Sequence, residues 1–138
     1  MKALKLAIKK RLTDDSLYIS LMGTPVGEPF QTFFFKPPEK PTFPETVLNF
    51  QGIINSPEMG RDIQSRRIVL SINVWSKNDV YEDIIERIVQ LLHQNPDTNT
   101  TGFRAILLRE PEDMFDEEFR VYGKNVIFDV HYGRALYE

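Results

Sequence analysis

Residues Arg66 to Trp75 alternate almost without error: Ile68, Leu70, Ile72 and Val74 fall on one face, Val69, Ser71, Asn73 and Trp75 on the other. A period of two marks a β-strand with one buried face, and a slip of one residue would turn every apolar side chain outward. Such a strand needs a sheet around it and a layer above it. The layer follows at once in the sequence. Ser76 is an N-cap residue with Asp79 three positions on, and Val80, Ile84, Ile85, Ile88, Val89, Leu91 and Leu92 come next at helical spacing. A helix ending near Gln94 is predicted, packed by its apolar stripe on the face of Ile72.

Other elements extend this pair. Leu4, Ile8 and Leu12 lie at i, i+4 and i+8 beside Ala7, with Lys2, Lys5 and Lys9 on another face, which predicts an amphipathic helix from Ala3 to Leu12. Its basic face reads as solvated. Residues 16–22 offer a short helical turn before Gly23. Six of the nine prolines then fall in 25–44, together with Phe30, Phe33, Phe34 and Phe35. Proline fixes φ and removes a donor, so an extended connector without a regular ladder is expected there. Its aromatic area must lie against the domain or another subunit. Thr46 to Gln51 reads as a strand, and residues 55–62 as the long hairpin connection to the next one. Phe103 to Leu108 is a third strand. Phe119 to Gly133 is a fourth, alternating Val126, Phe128, Val130 and Tyr132 against Ile127, Asp129 and His131, and bent or bulged around Gly123. The expected fold is one α+β domain over residues 1–138: two layers, two helices on a mainly antiparallel four-stranded sheet, with a long hairpin and a Pro-rich connector.

Composition removes most chemistry. With 41% hydrophobic and 27% charged residues, the 138-residue chain has material for one core and is no disordered tail. It has no apolar run of membrane-spanning length, and no secretion signal or membrane partner is expected. Zero cysteines rule out disulfides, thiolate metal sites and Cys nucleophiles. His93 and His131 stand at unrelated places, without the spacing that brings two imidazoles to one metal. Residues 97–102 imitate the first half of a calcium loop, but the position owed to a bidentate acid is Leu108. A nuclease pattern starting at Pro96-Asp97 lacks its second acid, since Tyr122 precedes Lys124 where that acid would stand. There is no Gly-x-Ser-x-Gly elbow and no glycine-rich phosphate loop. No catalytic residue, metal or cofactor is therefore expected. Six acids between Glu110 and Glu118 could hold a carboxylate pair, which keeps a small metal-dependent hydrolase open as an alternative. Met114 and Phe115 inside that run favour a partner-binding loop, and a plain solvated loop serves equally well. A monomeric binding module is the third reading.

The order of elements forms a recognisable series. It runs from a short N-terminal helix through a Pro-rich connector to the strand Arg67 to Ser76, the helix starting at Asp79-Val80-Tyr81, and the last strand Asn125 to Tyr132. This series resembles the tail terminator, or tail completion, proteins of long-tailed bacteriophages over nearly its full length. The connector between Phe30 and Phe43 is more aromatic than in that family. The resemblance implies a non-enzymatic virion protein, made in the host cytoplasm and built into the tail. Its partners would be copies of itself in a six-membered ring, the tail tube protein, and the head completion or connector protein. DNA would pass through the lumen without sequence-specific binding.

A ring needs one patch of each subunit to meet a different patch of its neighbour. The net charge of −3 becomes −18 over six copies, which suits a lumen that repels phosphate and sends the arginines elsewhere. The expected subunit interface joins Met59, Arg61, Arg66 and Arg67 of one copy to Glu112, Asp113, Met114, Phe115, Asp116 and Glu117 of the next. Apolar residues would supply the affinity and charges the register.

Overall fold

The computed structural model describes residues 2–23, 32–34, 43–54, 65–93 and 102–133. Along the chain run α1 (Lys2–Thr13), α2 (Ser16–Met22), β1 (Thr32–Phe34), β2 (Glu45–Ile54), β3 (Ser65–Ser76), α3 (Val80–Leu92), β4 (Phe103–Leu107), β5 (Glu112–Asp116) and β6 (Val121–Gly133). The α+β class holds, but the described residues form three helices and a six-stranded mixed sheet, where two helices and four strands were expected.

Each added element has a local cause. Residues 16–22 make a full helix because both ends are capped. Asp15 Oδ2 accepts from the Tyr18 N–H at 2.8 Å, and Gly23 supplies the left-handed C-cap at φ 61°. Strand β1 forms inside the Pro-rich connector, against expectation, by pairing parallel to β2 with Thr32 opposite Thr46. Tyr18 of α2 anchors it: the buried hydroxyls of Tyr18 and Thr32 lie 2.7 Å apart. Strand β5 forms from the acidic run because β6 continues past β4 and leaves its edge open.

The sheet order is β1-β2-β3-β6-β4, with β5 also on β6. Strand β3 runs antiparallel to β6 from Ser65–Gly133 to Ser76–Tyr122 without a break in register. The other edge of β6 is shared end to end: β4 takes Phe128 to Tyr132, and β5 takes Val121 to Asn125. The expected bulge at Gly123 is absent; the irregularity lies in β2, between Phe50 and Ile53. The connection between β2 and β3 and the calcium-like turn at 97–101 fall outside the described residues.

Ile68, Leu70, Ile72 and Val74 are all buried, and so are Ile84, Ile88 and Leu92. One cluster unites them with Leu4, Ile8 and Leu12 of α1 and with Val126, Phe128 and Val130 of β6. The two periodicities, 2 and 3.6, thus meet in one core, as required for either to leave water. The α3 start is also tied to β3. Ser76 Oγ accepts from the Tyr81 N–H at 3.1 Å, and Asn78 Oδ1 accepts from the Val80 N–H at 3.1 Å, so the expected capping serine acts from the last position of the strand. Arg87 of α3 grips Asp15 with contacts of 2.6 and 2.9 Å, joining α3 to the α1–α2 junction. No helix among the described residues is long and apolar enough to cross a membrane.

Candidate functional site

The β5–β6 hairpin carries six of the ten residues expected at an interface. Its turn is held by Asp116, whose Oδ1 accepts from the backbone N–H of Glu118 at 2.9 Å and of Phe119 at 3.2 Å. That acceptance supports a tight turn in which Arg120 takes a left-handed φ of 51°. Across the ladder Phe115 stands opposite Tyr122, with ring centroids 5.0 Å apart and planes at 47°. Both rings are about half exposed, as are Leu108 and Phe119. The Phe115–Tyr122 pair is an outward aromatic contact surface of the kind that can meet a partner, and Phe119 beside it in the turn packs on the Phe43 ring at 6.0 Å. Glu112, Asp113 and Glu117 of the same hairpin are all exposed. Asp113 and Glu82 each lie 3.8 Å from Lys124 Nζ, and Glu112 lies 3.5 Å from Arg109. Exposed pairs of this length contribute about 0 to 1 kcal/mol each, so they orient the hairpin more than they stabilise it.

The basic half of the expected interface divides. Met59 and Arg61 lie outside the described residues. Arg66 pairs with Tyr132 in the β3–β6 ladder, and its side chain is not among those described. Arg67 faces away from the helices and engages Asp129 of β6, Nη2 to Oδ2 at 2.6 Å and Nε to Oδ1 at 3.3 Å. It was expected to meet acids of 110–118 of a neighbouring copy; within its own chain it meets an acid on the adjacent strand. His131 Nε2 lies 3.4 Å from the same carboxylate. Beside this group Asn125 donates to Ser71 Oγ at 2.8 Å and to Asn73 Oδ1 at 2.7 Å. The outer sheet face thus carries internally bonded polar groups along β3 and β6, with Val69, Trp75 and Ile127 among them.

Asp129 and His131 were visible as the polar half of an alternating strand, but only the β3–β6 pairing brings them to Arg67. Burial pushes the Asp129 carboxyl up, yet the hydrogen bonds from Arg67 and the nearby His131 outweigh it and hold the group below the ordinary carboxylate range. Asp15 is also lowered, first by its hydrogen bond from Arg87, against a smaller opposing effect of burial. A lowered folded-state value means that the stabilisation is present above the unfolded value near ~3.9 and is lost as pH falls below it. The melting midpoint should therefore drop between pH 5 and pH 3, and Asp129→Asn should show a smaller drop than the wild-type chain. An equal drop in both would exclude Asp129 as a source. Glu45 acts with the opposite sign. Burial raises its carboxyl, and its Oε2 is buried without a hydrogen-bond partner.

Among the described residues no three His, Cys, Asp or Glu side chains converge as a metal-holding group. What the hairpin presents is area for contact: exposed rings, a fixed turn and exposed carboxylates.

No protein-family model matches this sequence, and no match to it was found among curated proteins. The fold is nonetheless shared with a solved structure. A chain of "Virion of native gene transfer agent (GTA) particle" superposes with a TM-score of 0.62 over 91% of this chain and 91% of that one, at 12% sequence identity.

Proposed function

We propose that this chain is a structural protein of a phage-type virion and acts as a tail terminator: copies of it close into a six-membered ring that caps the tail tube, ends its growth and joins it to the head connector. The observation that carries the reading is the fold shared with a virion-particle chain over nine-tenths of both chains. The resemblance of the element series to tail terminators supports the more specific role. The exposed hairpin supports assembly, because Phe115, Tyr122 and Phe119 are left wet on a single chain. In this reading Glu112, Asp113 and Glu117 face a neighbouring subunit, the protein acts without catalysis, and DNA slides through a lumen of repelling charge.

Sedimentation and native mass spectrometry test it. A chain of 16.1 kDa should assemble to about 97 kDa, six times the monomer mass, and electron micrographs should show rings with an open centre. A chain that stays monomeric to millimolar concentration would sink the reading. So would hydrolysis of nucleic acid or glycan that is lost on Asp113→Asn with Glu117→Gln.

A further inference from the structure

Between α3 and the β4–β5 side of the sheet runs an open groove of about 600 Å³. Glu82, Ile85, Glu86 and Val89 line it from α3, at the spacing of one helical face, and Leu107 and Glu110 line it from the opposite side. Its floor is apolar, through Ile85, Val89 and Leu107. Its rim is acidic, through Glu82, Glu86 and Glu110. Lys124 also reaches it but is held by Glu82 and Asp113. The chain's own α2 lies on another flank of α3, where Leu17 and Leu21 approach Asp83 and Arg87.

A surface of opposite character stands on α1. That helix buries Leu4, Ile8 and Leu12 and turns Lys2, Leu6 and Lys10 to solvent, at i, i+4 and i+8. Leu6 is 59% exposed, the highest among the large apolar residues described. The helix carries five basic residues and no acid. Lys2 sits in the first turn, where the backbone dipole disfavours a cation. That charge does not serve the stability of α1; carboxylates arriving from outside would relieve it.

We propose that the Lys2-Leu6-Lys10 stripe of one copy docks in the α3 groove of the next, with Leu6 on the Ile85-Val89-Leu107 floor and the lysines toward Glu82, Glu86 and Glu110. The inference rests on the ring reading and names the contact that would close it. The docking is a helix laid in a groove, apolar at the centre and charged at the edges. Stripe and groove are different patches, so the contact is heterologous and can repeat around a ring.

Charge reversal in two halves tests it. One variant carries Lys2→Glu and Lys10→Glu; the other carries Glu86→Lys and Glu110→Lys. All four positions are exposed, so both variants should keep the wild-type circular dichroism and melting midpoint. Alone, each places like charges at every contact and should need at least tenfold more protein to assemble. Mixed one to one, they should restore the wild-type mass, because every stripe then finds a groove of opposite sign in an alternating ring. A single chain with all four reversals should assemble as the wild type does, which checks the same contact with a second variant. If each pair alone assembles like the wild type, or if the mixture stays apart, the docking is overturned while the ring reading stands. A wild-type chain monomeric at all concentrations overturns both.

Discussion

Ile72→Ala should lower the free energy of unfolding by about 2 to 5 kcal/mol, the range for a buried isoleucine whose site cannot collapse. Ile72 has no exposed surface. It sits mid-strand in β3, in register with Leu48 on one side and Val126 on the other, and all three belong to the core formed with α3. Truncation would leave a void walled by two strands fixed by ladders and by helices tied to one another through Arg87 and Asp15. Urea denaturation measures the loss: the midpoint should fall while the slope with denaturant stays constant. Val69→Ala, three positions away on the outer face and only half-buried, should cost clearly less. Equal losses at the two positions would contradict the one-sided burial of β3.

Gly123→Ala should be nearly as damaging, although it adds only a methyl group. A Cβ at this position would overlap the carbonyl oxygen of Val74 and come within 2.8 Å of Trp75 Cε3. The indole can move, but the carbonyl belongs to the β3 backbone, so relief requires the two central strands to part. Overpacking of this kind costs about 1 to 3 kcal/mol and sometimes more. For a domain of this size that corresponds to a melting midpoint lower by roughly 5 to 15 °C. A midpoint within 2 °C of wild type would show that the ladder yields freely there. Gly123 permits the indole of Trp75 to lie across the β6 backbone, so the glycine expected at a bend or bulge marks a site of close approach in a strand of unbroken register.

The contrast shows what local pattern could and could not convey. Strand β3, helix α3 and helix α1 were legible because Ile68 to Val74 and Ile84 to Leu92 repeat the period of the surface they bury. Strand β5 was not, since Glu112 to Asp116 has no buried face and a charge-rich composition unfavourable to strands; its ladder is imposed by β6. Strand β1 was hidden among prolines and depends on the Tyr18–Thr32 contact, which no neighbouring residue announces. For the candidate site, the aromatic and acidic character of 110–118 was plain, and the partner of Arg67 was not. Asp129 lies 62 positions away, and only strand order connects them. Reversing the charge of Arg67 would therefore disturb its own chain before any neighbour, which makes α1 and the α3 groove the cleaner places to probe assembly.

The placement of β6 also orders events in time. It is the last of the six strands to be synthesised, yet it lies beside β3 and carries β4 and β5 on its other edge. Until it is available, β3 has no partner on that side, and β4 and β5 have no ladder at all. A growing chain therefore holds Ile68 to Val74 beside an open strand edge, the arrangement most prone to pairing with another chain. Closing β3 on β6 demands at the least a loop from Ser76 to Tyr122, a distant contact that slows folding relative to local pairing. A polypeptide cut before Val121 should be retained by chaperones or aggregate, and should not persist as a smaller folded unit.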